Sequence, residues 1–226
     1  MQDIALRRRE QVAEGTFAFY FDKPAGFSHQ AGQNALLTLP DGSEGHTFTI
    51  ASAPHERDLM FATRMRDSAY KRALAAAPIG AKFKLDGPAG VMVLHEDEQR
   101  PAVFLAGGIG ITPFLAMARD AEARLLSHRL LLIYSNRRPQ DAPFLAELKR
   151  MQNRNFRMVA TMTNAPDWQG EKRMISRELV AEHVKDVHGP VFYFAGPPGM
   201  TMAVQGMLGE IGVKEDDMRS EEFYGY

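Results

Sequence analysis

The chain predicts two domains: an antiparallel β-barrel, then an α/β Rossmann-like parallel sheet. Three observations point there. Residues 4 to about 95 carry short apolar runs with period-two alternation, cut by Gly, Pro and Asp turns. After Arg100 the rhythm changes to alternating strand-like and helix-like runs. At the head of that second part, Ala102-Val103-Phe104-Leu105-Ala106 passes directly into Gly107-Gly108-Ile109-Gly110-Ile111-Thr112-Pro113. The polar, acidic segment from His95 to Arg100 is the natural boundary, giving domains 1–97 and 98–226.

In the first domain, Phe17, Phe19 and Phe21 alternate with Ala18 and Tyr20. Leu59, Phe61, Thr63 and Met65 alternate with Met60, Ala62, Arg64 and Arg66. Runs 34–39, 46–53 and 83–85 complete a set of short strands suited to a small barrel that closes its own edges. Ser68 is placed to cap one helix over 69–77, which Pro78 ends. In the second domain, strands are expected at 102–106, 130–134, 156–161 and 191–195. Helices are expected at 113–126, 142–152, 176–183 and 198–211. Such alternation builds a parallel sheet flanked by helices.

Composition removes several function classes. With 45% hydrophobic and 24% charged residues over 226 positions, the chain can fill one large core or two ordinary ones. A net charge of -1 argues against a polyanion binder, so no nucleic-acid partner is expected. The absence of cysteine excludes disulfides, thiolate metal sites and a thiol nucleophile. The seven histidines lack metal-ligand spacing, so no metal is expected. No apolar run reaches membrane-span length and no signal-peptide core opens the chain, which predicts a cytoplasmic protein without a membrane partner.

The stretch Gly107 to Pro113 has the most chemistry in it. Strand, glycine turn and helix start together aim unpaired N–H groups and a helix dipole at one point, which suits an anion. Glycine also lets a diphosphate approach the backbone without meeting a Cβ. Alone, the turn is either this or an ordinary strand-to-helix connection, because the pattern lacks the third glycine of the dinucleotide fingerprint.

Four motifs in order extend the reading: His46-Thr47-Phe48-Thr49-Ile50-Ala51-Ser52-Ala53-Pro54; Gly108-Ile109-Gly110-Ile111-Thr112-Pro113; Tyr193-Phe194-Ala195-Gly196-Pro197-Pro198-Gly199-Met200; and the ending Glu221-Glu222-Phe223-Tyr224-Gly225-Tyr226. In this order and spacing they resemble the ferredoxin–NADP reductase superfamily of flavoenzymes, over almost the whole chain.

The resemblance implies FAD in the barrel and NADPH or NADH on the second domain. It puts Phe48 against the flavin, Thr49 near flavin N5 and Ile50 beside them. It makes Thr63, Arg64, Met65, Ser68, Ala69 and Lys71 a second flavin segment, with Ser68 at the diphosphate. His46 stands where the family has arginine, and Arg64 or Lys71 is expected to supply the missing charge. Gly107, Gly108, Ile109, Gly110, Ile111 and Thr112 would cradle the nicotinamide nucleotide, opposite Gly196, Pro197, Pro198 and Met200. Ala195 replaces a cysteine common in the family. The segment after the second strand offers no carboxylate for a ribose 2′-hydroxyl. Ser135, Arg137, Thr163 and Arg173 match positions that bind the 2′-phosphate, which favours NADPH. Phe223 and Tyr226 are candidates to cover the flavin, and Glu222 to join a proton network. Thr49, Thr112, Glu222, Phe223 and Tyr226 form the catalytic set.

The function implied is an FAD-dependent NAD(P)H oxidoreductase that passes electrons to a separate acceptor, with ferredoxin, flavodoxin and an oxygenase component as candidates. A flavin reductase releasing reduced flavin is one alternative. A non-catalytic electron-relay or nucleotide-sensing subunit is another.

Overall fold

In the computed structural model, which describes residues 1–223, the first part of the chain is a six-stranded antiparallel sheet. Its strands are β1 (Gln2–Ala13), β2 (Thr16–Asp22), β3 (Asn34–Thr38), β4 (Gly45–Thr49), β5 (Asp58–Arg64) and β6 (Lys82–Ala89), in the order β4-β3-β6-β1-β2-β5. The outer strands β4 and β5 approach each other just past the end of β4, where the Ala51 N–H donates to the Met60 carbonyl at 2.8 Å. That bond brings the two sheet edges into a barrel-like form. Helix α1 (Ala69–Ala76) follows β5, and the Ser68 hydroxyl caps it by accepting from the Lys71 N–H at 3.2 Å.

The alternation in β2 and β5 has a meaning that period two alone does not disclose. Phe19, Phe21, Leu59 and Phe61 face the barrel interior, while Ala18, Tyr20, Met60 and Ala62 join a second core shared with the other half of the chain. Both faces are buried, so this pair of strands fastens the two parts together. Burying a side chain such as Met60 there contributes about 1.5–3 kcal/mol.

The second part is a five-stranded parallel sheet. Strands β7 (Ala102–Gly107), β8 (Leu130–Asn136), β9 (Phe156–Met162), β10 (Val191–Gly196) and β11 (Met218–Glu222) lie in the order β11-β10-β7-β8-β9. Helices α2 (Thr112–Ala123) and α3 (Leu145–Met151) cover one face; α4 (Arg177–His183) and α5 (Pro198–Glu210) cover the other. The central strands read as continuous apolar runs because both their faces are covered.

Several boundaries differ from the sequence expectation. β1 is a 12-residue strand whose Arg7-Arg8-Arg9-Glu10 stretch is exposed, which hides its alternation. β4 stops at Thr49, and Ile50 turns into the barrel core instead of continuing the strand to 53. Helix α3 starts at Leu145, not 142, because Phe144 precedes it in the left-handed region at φ 60°. β11 has no apolar alternation and was expected only as a tail; it is an edge strand alongside β10.

Candidate functional site

Two cavities meet between the barrel and the parallel sheet. The smaller, about 250 Å³, is lined from the barrel by His46, Phe48, Thr49, Thr63 and Lys71, and from the second part by Ile109, Glu221, Glu222 and Phe223. The larger, about 590 Å³, lies along the C-terminal ends of β7, β8 and β10. Arg64 and Ile109 line both, so the cavities share a wall. Ligands of open α/β sheets bind in this position, outside the carboxyl ends of the strands.

In the smaller cavity, Thr49 is buried and its hydroxyl oxygen finds no hydrogen-bond partner. A buried hydroxyl without a partner is unusual and marks a place where a polar group of a bound molecule completes the set. Phe48 is packed against the barrel core, with its ring 5.8 Å from Tyr70. Tyr70 donates to the Leu37 carbonyl at 2.7 Å, and burial, then the Glu44 charge, pushes its phenol well above the ordinary range. His46 packs on Tyr70 with the rings tilted by 40° and 4.3 Å between centroids, and pairs through Nε2 with Glu44 at 2.7 Å. The family's arginine position is therefore a histidine–carboxylate pair here. Lys71 donates from Nζ to the Arg64 carbonyl at 2.8 Å, and burial, then the Arg66 charge, lowers its pKa.

The carboxylate that the sequence reading missed is Glu221. Pairing of β11 with β10 sets Ala195 opposite Glu221 and Gly196 opposite Glu222, and successive side chains leave a strand on opposite faces. Glu221 accepts from Asn34 Nδ2 at 2.9 Å, and its other oxygen is buried with no partner. Burial raises its pKa, and the Asn34 hydrogen bond acts against that rise. Glu222, the expected member, accepts from the Thr201 hydroxyl at 3.2 Å. Phe223 is tied by its N–H to the Gly196 carbonyl at 3.1 Å. Tyr226 lies outside the described residues.

The larger cavity gathers Gly107, Gly108 and Ile109, with Pro197 and Met200 from the start of α5 as the opposing wall. Gly108 sits at φ 55°, and a Cβ built there would meet nothing within 4 Å, so the turn exposes bare backbone to the cavity. Gly110 has the opposite surroundings: a Cβ there would come within 2.3 Å of the Ala195 carbonyl oxygen. Ser135, Arg137 and Thr163 line the cavity as expected, joined by Asn136, whose buried amide has no hydrogen-bond partner, and by Arg66 from the barrel. Arg137 is exposed and pairs with no carboxylate among the described residues, whereas its neighbour Arg138 holds Asp141 through two bonds of 2.8 and 2.7 Å and reaches Glu14 at 3.2 Å.

Other expected residues stand elsewhere. Arg173 does not line the cavity; it is held by Glu171 and Glu182, and the Glu171 carboxyl is pushed down to about 2 by the Arg173 hydrogen bond. Thr112 is 1% exposed, and its hydroxyl donates to the Ile109 carbonyl at 3.1 Å, so it fastens the turn. Gly110 and Ile111 are buried behind the cavity wall. Ile50, Met65, Ser68 and Ala69 line neither cavity, and Ser68 serves as a helix cap. Gly196 and Pro198 adjoin the wall made by Pro197 and Met200 without lining it.

The family described as the oxidoreductase NAD-binding domain matches residues 104–206. Flavohemoprotein A of Dictyostelium discoideum is 24% identical over 98% of this chain, and the chain spans 60% of that protein. Ferredoxin–NADP reductase B of Sorangium cellulosum is 26% identical over 87% of this chain and 86% of its own length. The crystal structure of a ferredoxin NADP+ reductase from Neisseria gonorrhoeae superposes with a TM-score of 0.85 at 20% identity, covering 98% of both chains. Oxygenase reductase components, such as the anthranilate 1,2-dioxygenase electron transfer component of Acinetobacter baylyi at 29% identity, extend beyond this chain, which spans 57% of that protein. The barrel-like sheet and the parallel nucleotide sheet match the two-part fold of these structures, and the likenesses make the chain similar to the ferredoxin–NADP reductase superfamily.

Proposed function

We propose that the chain is an FAD-dependent oxidoreductase that takes hydride from NAD(P)H, with NADPH favoured, and passes electrons to a separate acceptor. A ferredoxin, a flavodoxin or the cofactor-bearing component of an oxygenase would be such an acceptor. The observation that carries the reading is the shared wall: Ile109 and Arg64 line both cavities, so molecules held in each would lie side by side. Hydride transfer needs that juxtaposition, with reacting atoms roughly 3–3.5 Å apart.

The residues fit the two groups. The unpartnered Thr49 hydroxyl and the half-buried Phe48 suit a flavin ring, and the open backbone at Gly108 with Arg64, Arg66 and Arg137 suits the phosphates of a nucleotide. When bound, the flavin supplies a hydride acceptor that can release electrons singly. Thr49 would offer its hydroxyl to the bound flavin, Phe48 would pack against it, and Phe223 would keep water out. Glu221 lines the smaller cavity with its carboxyl oriented by the Asn34 hydrogen bond. Arg137 is the residue that distinguishes a 2′-phosphate from a 2′-hydroxyl. We place the functional boundary between residues 97 and 98, and the protein in the cytoplasm; no helix among the described residues is long and apolar enough to cross a membrane.

The His46–Glu44 pair favours a second reading, a flavin reductase that releases reduced flavin, because it leaves that side of the flavin cavity without a fixed cation. Gel filtration separates the two: FAD retained on the protein supports the first, and colourless protein that reduces added riboflavin supports the second. The main test is anaerobic mixing with NADPH and NADH separately, following flavin bleaching. Rapid bleaching with NADPH is expected, and none with either nucleotide would overturn the proposal.

A further inference from the structure

A third cavity, about 560 Å³, lies between the barrel and the parallel-sheet part and shares no lining residue with the other two. His29 and His128 line it and are 6% and 3% exposed. His29 Nε2 lies 3.2 Å from the Ser52 carbonyl, and His128 Nε2 lies 2.8 Å from the His95 carbonyl. A carbonyl oxygen only accepts, so each Nε2 carries the proton and each Nδ1 is a bare acceptor. Both Nδ1 atoms are buried and find no partner. His95, beside them, is complete: Nε2 donates to the Arg100 carbonyl at 2.9 Å, and Nδ1 accepts from the Tyr193 hydroxyl at 3.0 Å. Two buried acceptors without donors in the lining of one cavity are not what a finished core contains.

The lining of the cavity is mainly acidic, with Lys23 acting on His29 and Arg100 and Arg219 on His95 from outside the lining. Asp120, Glu96 and Glu98 line the cavity, opposed by Arg124 alone, which pairs with Asp120 at 3.1 Å. Burial holds the His29 imidazole below its ordinary pKa, so it stays an acceptor at neutral pH. A molecule that completes this cavity must bring N–H or O–H donors and positive charge. A metal ion is the poorer candidate, because no group of three or more His, Cys, Asp or Glu among the described residues is arranged to hold one.

We infer that this cavity binds a small organic ammonium ion, such as a diamine, whose N–H groups donate to Nδ1 of His29 and His128 and whose charge is met by Asp120 and Glu96. The inference is independent of the flavin reading, since it uses none of the residues of the other two cavities. The probe is 1,4-diaminobutane, titrated into the 226-residue chain while the histidine Nδ1 resonances are followed by long-range proton–nitrogen NMR. Saturable movement of the His29 and His128 Nδ1 signals is expected, with affinity reduced about tenfold by His29→Phe and by Asp120→Asn. Unmoved Nδ1 signals, unchanged affinity in both variants, or equal affinity for uncharged 1,4-butanediol would each overturn the assignment. Should His29→Phe fail to fold, Asp120→Asn and the exposed Glu96→Gln still decide it. Nucleotide-driven flavin bleaching, read in the same sample, reports separately on the proposed activity.

Discussion

Asn34 donates to Glu221 at 2.9 Å, joining barrel strand β3 to β11 across 187 positions of sequence. The bond orients a buried carboxyl whose pKa burial has raised above its ordinary 4.5. Between 4.5 and that raised value the folded protein keeps a proton that the unfolded chain has released. Glu221 therefore adds stability fully below its unfolded pKa and loses that contribution as pH rises through its folded one. Urea midpoints measured across pH should fall less steeply in Glu221→Gln than in the parent. In Asn34→Ala, the Glu221 carboxyl followed by carbon NMR should titrate at still higher pH.

Thr49→Val keeps the side-chain shape and removes the unpartnered hydroxyl. Stability should change by less than about 1 kcal/mol, or rise, because no protein hydrogen bond is lost. The rate of flavin reduction by nucleotide should fall roughly tenfold to a hundredfold. Stopped-flow bleaching and chemical denaturation on the same preparation check both halves.

Arg137 and Arg138 adjoin in sequence but differ in their surroundings, since Arg138 is held by Asp141 and Glu14. Arg137→Ala should raise the KM for NADPH by about tenfold to a hundredfold with little change for NADH. Arg138→Ala should alter both alike. Steady-state kinetics with the two nucleotides distinguish these outcomes.

Arg119 on α2 holds both oxygens of Glu147, at 2.7 and 2.9 Å, and reaches Glu56 of the barrel side at 3.2 Å. Arg119→Ala leaves two partly buried carboxylates without their cation. A loss of about 2–4 kcal/mol is expected by denaturant titration.

Gly110→Ala forces a Cβ to within 2.3 Å of the Ala195 carbonyl oxygen and 2.6 Å of the Gly196 nitrogen. Backbone cannot step aside as a flexible side chain can. The cost should be about 1–3 kcal/mol, measured by thermal or chemical unfolding.

Much of this architecture was legible in the chain. Phe17 to Phe21 alternates as a strand should, and Ala102 to Ala106 is continuously apolar because both faces of β7 are covered. What escaped was set by partners distant in sequence. β1 hides its alternation behind exposed arginines, and β11 is recognisable only beside β10. The choice between Glu221 and Glu222 illustrates the limit: a one-residue change in register exchanges the faces of a strand, and the register belongs to the pairing with Ala195 and Gly196. Arg173 matched a phosphate-binding position by resemblance, yet Glu171 and Glu182 hold its guanidinium.

The contact between Gly110 and the end of β10 also governs how this cleft can diverge among related sequences. Its two walls, Gly107 to Ile109 and Pro197 to Met200, are spaced by main chain resting on main chain. Substitutions at Ser135, Arg137 or Met174 can thus change the lining while the gauge between the walls stays constant. Nucleotide selectivity and nucleotide fit are separately variable in such a design: one drifts with surface side chains, the other is locked by a missing methyl group.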